Sequence, residues 1–132
     1  MSAASLLQTA IFARLTGDAT LTGLVGADGV TDRILPRPKL PLIVLRSIDS
    51  SDYGTASEGG EVHMISIEVW SEAAGNREAQ AIAARVRTLL DDAPLALDGA
   101  HLVSILHRTT SQRRDGKSRF HRAELRFRAA TE

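Results

Sequence analysis

Apolar residues recur four apart at Leu7, Ile11 and Leu15, with Ala3 and Ala10 on the same stripe. This spacing predicts an amphipathic helix over Ser2 to Thr16, ended by Gly17. A short second helix over Asp18 to Leu24, with Asp18 as its cap and Gly26 as its stop, is expected only if Leu21, Leu24 and Val25 pack onto the core. A further helix is expected from Asn76 to Asp91. Its apolar positions Ala79, Ile82, Ala83, Val86, Leu89 and Leu90 form one stripe, while Arg77, Gln80, Arg85 and Arg87 fall outside it. Asn76 is placed to cap its start, and Pro94 stops any continuation.

Strand patterns fill the remaining apolar segments. Leu42 to Ile48 is a nearly unbroken apolar run, and Val62 to Trp70 alternates Ile65, Ile67 and Val69 with Ser66 and Glu68. Trp70 points opposite to Ile67 and Val69 and is expected to pack at the core or sheet edge, with a subunit contact as the alternative. Asp49 to Gly60 reads as a long, small-residue, acidic loop. Arg33 to Leu35 is a candidate short strand before a connector holding Pro36, Pro38 and Pro41.

His101 to Arg113 and Ser118 to Ala129 flank Asp115-Gly116, the dipeptide of a two-residue hairpin turn. Pairing Arg114 with Lys117 sets Leu106 opposite Leu125 and Ser104 opposite Phe127 on one face, and His107 opposite Glu124 and Ile105 opposite Arg126 on the other. The element order predicts an α+β class: a mostly antiparallel sheet of four to five strands, with helices on one face and an arginine-rich face left open. Residues 1–132 are expected to form a single domain.

Charge changes this picture more than composition does. The chain has 16 basic and 16 acidic residues, no cysteine, and 43% apolar residues, an ordinary balance for a packed domain without thiolate sites. No apolar run reaches the roughly 20 residues a membrane helix needs, and the amino terminus lacks a signal-like charged start, so a cytoplasmic location and no membrane partner are expected. Between Arg108 and Arg128, however, eight basic residues face only Asp115 and Glu124, a charge of +6; the other residues hold eight basic and fourteen acidic groups, or −6. A chain neutral in sum is strongly polarised and attracts either copies of itself or a polyanion.

Catalytic and cofactor chemistry find little support. His107 beside Glu124, with Thr109 on the same face, gives a weak hydrolase reading without a glycine-rich elbow. His63, His101, His107 and His121 lack the helical spacing of metal ligands, so no metal is expected. Gly54, Gly59 and Gly60 match no phosphate-cradling loop, so no cofactor is expected. A small basic-faced nucleic-acid-binding domain is the alternative, because Arg122, Arg126 and Arg128 recur at strand period while Arg113, Arg114, Lys117 and Arg119 crowd the hairpin tip. Phe120 is the only aromatic of that stretch on the same face as those arginines, which disfavours a base-stacking platform.

An ordered series of short signatures runs along almost the whole chain: Leu6-Leu7-Gln8-Thr9-Ala10-Ile11, Asp32-Arg33-Ile34, Pro41-Leu42-Ile43-Val44-Leu45, Glu61-Val62-His63 and Ile67-Glu68-Val69-Trp70-Ser71. It continues through Glu78-Ala79-Gln80-Ala81-Ile82-Ala83, His101-Leu102-Val103-Ser104 and Leu125-Arg126-Phe127-Arg128-Ala129. In these pieces the chain resembles the phage tail terminator, or tail completion, family, including members from prophages and gene transfer agents. The resemblance implies a non-enzymatic structural protein that forms a homo-oligomeric, commonly hexameric, ring. Its partners would be the tail tube protein and the head completion or connector protein, with DNA passing through the ring. It would assemble in the host cytoplasm and remain at the head-proximal end of the particle's tail. The charge split suits a ring, since each subunit then needs two different complementary patches. The expectation is that Asp49, Asp52 and Glu58 meet a neighbour's Arg113, Arg114, Lys117 and Arg119, with Arg122, Arg126 and Arg128 as further subunit or DNA contacts.

Overall fold

The computed structural model describes residues 2–33, 36–53, 59–72, 76–116 and 120–132. Its elements are α1 (Ala3–Thr16), α2 (Ala19–Val25), β1 (Val30–Thr31), β2 (Leu42–Asp52), β3 (Glu61–Ser71), α3 (Arg77–Leu90), β4 (Leu102–Arg114) and β5 (His121–Thr131). The strands form one sheet in the order β1-β2-β3-β5-β4, antiparallel except for the parallel β1–β2 pair. The fold is α+β, with all three helices on one side.

Each helix buries the stripe its sequence marks. Leu7, Ile11 and Leu15 of α1 are at most 1% exposed and pack with Ala79, Ile82, Val86 and Leu90 of α3 over Ile65, Ile67, Val69, Leu125 and Phe127. Fully burying one such aliphatic side chain stabilises the fold by about 1.5–3 kcal/mol, so these stripes hold the layers together. The caps are local: Ser2 Oγ accepts from the Ser5 amide at 3.1 Å, and Asp18 accepts from the Leu21 amide at 2.9 Å. Asn76 stands at the start of α3 but its side chain makes no capping bond. Leu21 is buried as expected, whereas Leu24 is 42% exposed, so α2 is anchored chiefly through one leucine.

The short first strand is Val30–Thr31, earlier than the Arg33 to Leu35 segment expected of it; Ile34 and Leu35 lie outside the described residues. Gly29 makes that strand possible. Its carbonyl accepts from the Ile43 amide at 2.7 Å, while a Cβ at this position would collide with the Val25 carbonyl. β2 also runs further than expected, to Asp52, so Asp49 and Asp52 are strand residues and not loop residues.

The β4–β5 register differs from the two-residue turn expectation. Arg114 pairs with His121, and the Asp115 amide donates to the Phe120 carbonyl at 2.7 Å, so a longer connection replaces the Asp115-Gly116 turn. Two bulges, between Leu102 and Ser104 and between His107 and Thr109, shift the pairing again. Ile105 therefore faces the core opposite Ala129, and Leu106 lies on the open face opposite Arg128, the reverse of the expected assignment. Burial decides the register over the turn dipeptide: Ile105 is 1% exposed and Leu106 is 43% exposed.

Candidate assembly surface

Period-two alternation along β5 sends Ala123, Leu125, Phe127 and Ala129 into the core and Arg122, Glu124, Arg126 and Arg128 to the helix-free face. On that face β3 adds Ser66, Glu68 and Trp70, and β2 adds Ser47 and Asp49. Glu68 is the centre, only 7% exposed. It accepts from Trp70 Nε1 at 3.0 Å and lies 3.5 Å from Arg46 Nε and 3.8 Å from Arg122 Nη1. Arg122 also sits 4.7 Å above the Trp70 ring and 3.7 Å from Asp115. Arg126 donates to Glu124 at 3.1 Å, and Ser66 donates to the other Glu124 oxygen. The open face is thus a network of alternating charges. It is not a uniformly basic platform.

Strand direction separates the remaining charges. β2 and β5 run one way and β3 and β4 the other, so Asp49, Asp52, Glu61 and Glu132 gather at one end of the sheet and Arg113 and Arg114 at the other, beside the already paired Arg122. Through the ladder Asp49 stands level with Leu106, and Arg113 level with Leu42. Six ladder steps at about 3.3 Å each place these charges roughly 20 Å apart along the strands. They also occupy opposite margins of the sheet, since among the described residues β2 is bordered only by the two-residue β1, and β4 by no strand. Arg113 and Arg114 form no ion pair with any described residue, nor do Asp49, Arg108 and Arg128. Glu58, Lys117 and Arg119 lie outside the described residues.

Comparison with known proteins gives the family of the chain. Residues 9–132 match the family described as tail completion protein gp17. The chain belongs to that family. A solved structure titled "Virion of native gene transfer agent (GTA) particle" contains a chain similar to it, with a TM-score of 0.90 and 35% identity over 99% of this chain and 98% of the other. No curated protein matches. Membership in the tail completion family gives the chain a structural role in a phage or gene transfer agent tail.

Within this tail completion fold, the roles of three residues of the open face escaped the sequence reading. Arg46 is the extra residue of a β2 bulge between Leu45 and Ser47, and an apolar run on either side hid its outward turn. Glu68 read as an ordinary polar strand position, though it is the buried hub of the network. Trp70 is half-buried on the open face beneath Arg122, and not in the core, as its parity with Glu68 already indicated.

The histidine pair of the hydrolase reading does not form. His107 opposes Phe127, meets its ring edge-on at 5.6 Å and contacts Thr110 Oγ1 at 2.6 Å, while Glu124 opposes Ser111 on the other face. Burial holds His107 below its usual value, with Arg87 adding to the effect. His63 is fully buried on the helix side of the sheet, held between Ser50 Oγ at 2.7 Å and Thr131 Oγ1 at 2.9 Å. Desolvation lowers its pKa, so it ties β2, β3 and β5 together as a neutral ring. Asp18 is drawn down to about 2 by the Arg85 guanidinium, which grips it at 2.9 and 2.6 Å and joins α2 to α3. Among the described residues no helix is long and apolar enough to cross a membrane.

Proposed function

We propose that the chain is the terminator of a long tail. Six copies form a ring on the head-proximal end of the tail tube, stop its polymerisation and offer a surface to the head completion protein, with DNA passing through the opening. The protein assembles in the host cytoplasm, stays in the particle and acts as one structural domain of residues 1–132, without catalysis. The observation that carries this reading is the separation of uncompensated charge to opposite corners of the sheet. Asp49 cannot reach Arg113 of its own chain, but a heterologous ring brings one corner of each copy to the other corner of the next.

The similarity to a gene transfer agent virion chain supports the setting, and the tail completion family supports the step. The nucleic-acid alternative loses support from the open face, where Arg122 and Arg126 already face Glu68, Asp115 and Glu124. Two measurements test the proposal. Tail assembly without this protein should give tubes of uncontrolled length, and light scattering of the full chain, alone and with purified tubes, should show a multimer that weakens as salt rises. Tubes of normal length without the protein would refute the terminator role.

A further inference from the structure

We infer that neighbouring copies join by adding the free end of β4 as a strand to the open upper edge of β2, in one definable register. This deepens the ring proposed above and rests on it.

The two edges are unequal along their lengths. Near its start β4 is already covered: the Asp92 amide donates to the Ile105 carbonyl at 2.7 Å, and Asp91 Oδ1 accepts from the His107 amide at 2.9 Å, so the turn after α3 occupies that edge. Beyond the bulge at His107/Thr109 the cover ends. Arg108 to Arg114 are seven consecutive exposed residues, and from Thr109 to Arg114 the strand is regular. In an antiparallel ladder backbone groups alternate between neighbours. With Asp115 bonded inward to Phe120, the outward N–H and C=O groups belong to Thr110, Gln112 and Arg114. Such an edge invites another strand.

β2 offers the matching half. Among the described residues β1 pairs only with Ile43 and Val44, and the Tyr53 amide bonds inward to Gly60, so Ile48 and Ser50 present their backbone outward with no described strand beside them. Next to this edge lies a hollow of about 490 Å³ between β2 and α1, with Ser5, Gln8, Asp32 and Arg46 in its wall. In a six-membered ring successive copies turn by 60°, too little to reverse a strand, so the incoming β4 runs antiparallel to β2.

One register satisfies hydrogen bonding, face and charge together. Setting Gln112 opposite Ser50 joins these two residues, and Arg114 to Ile48, through their outward backbones. It puts Arg113 against Asp49 on the open face, where both side chains already lie. Arg114 then turns to the helix side, toward the hollow that contains Asp32. A shift of one residue breaks the backbone alternation, and a shift of two parts Arg113 from Asp49.

Three variants of the whole chain test this by native mass spectrometry, alone and on purified tail tubes. Gln112→Pro removes one outward N–H that the chain's own ladder does not use. It should keep the circular dichroism and melting of the parent and lose the multimer by at least roughly tenfold in association. Asp49→Cys combined with Arg113→Cys, in a chain with no other cysteine, should oxidise into covalent multimers, because the paired Cβ atoms fall within disulfide reach. Asp49→Cys with Gln112→Cys should not. A parent that forms rings while Gln112→Pro assembles equally well, or while the Asp49/Arg113 pair stays monomeric, overturns strand addition and leaves the ring standing. A parent that forms no multimer even on tail tubes overturns the ring and this inference with it.

Discussion

The two faces of β5 share one backbone yet obey different rules. Toward the helices Leu125 and Phe127 are fully buried in the apolar core, while one residue away Glu124 and Arg126 meet each other at the surface at 3.1 Å. The helix side supplies folding energy through buried area; the open side places charge and adds little to stability, except at the enclosed Glu68. This difference explains how a chain of zero net charge can be both stable and strongly polarised: the hydrophobic layer tolerates uneven charges because those charges lie outside it.

Substitutions on the two faces should therefore separate. Phe127→Ala should cost about 3–5 kcal/mol in denaturant unfolding, and any loss of association should follow the fraction unfolded. Glu68→Gln should cost about 1–3 kcal/mol, since Trp70, Arg46 and Arg122 lose a charged acceptor in an enclosed site. A cost as small as that of an exposed pair would show that Glu68 is no hub. Acidification should produce a smaller, graded loss. The depressed values of His63 and His107 mean that the unfolded chain takes up protons first, so stability is constant above about pH 6.5 and falls below it, toward their lowered folded values. His63→Gln should flatten that slope. Arg126→Ala should change stability by no more than about 0.5 kcal/mol, because the pair with Glu124 is 60% exposed on the arginine side.

The helix side was the more legible in sequence for the same reason. Burial imposes a period, and the stripes of α1 and α3 and the alternation of β3 and β5 express it without interruption. β4 was not legible. Its Asp115-Gly116 dipeptide imitates a tight turn, and two bulges change its parity, so no single register fits the whole strand. Arg46 was hidden in the same way by the bulge in β2. On the open face, charge gave the bias of the carboxyl-terminal segment but not its division into paired arginines, such as Arg122, and unpaired ones, such as Arg113. That division depends on which strands are neighbours, and β3 lies between β2 and β5 only after the chain has crossed over through α3.

The claim that opposite corners join successive copies can be tested by exchanging their charges. One variant carries Asp49→Arg and Asp52→Arg, the other Arg113→Asp and Arg114→Asp. Each alone brings like charges together and should remain monomeric by native mass spectrometry, whereas an equimolar mixture should recover multimers in which the two variants alternate. Assembly of either variant alone at the parent's level, or a mixture that stays monomeric under conditions where the parent assembles, would contradict the account.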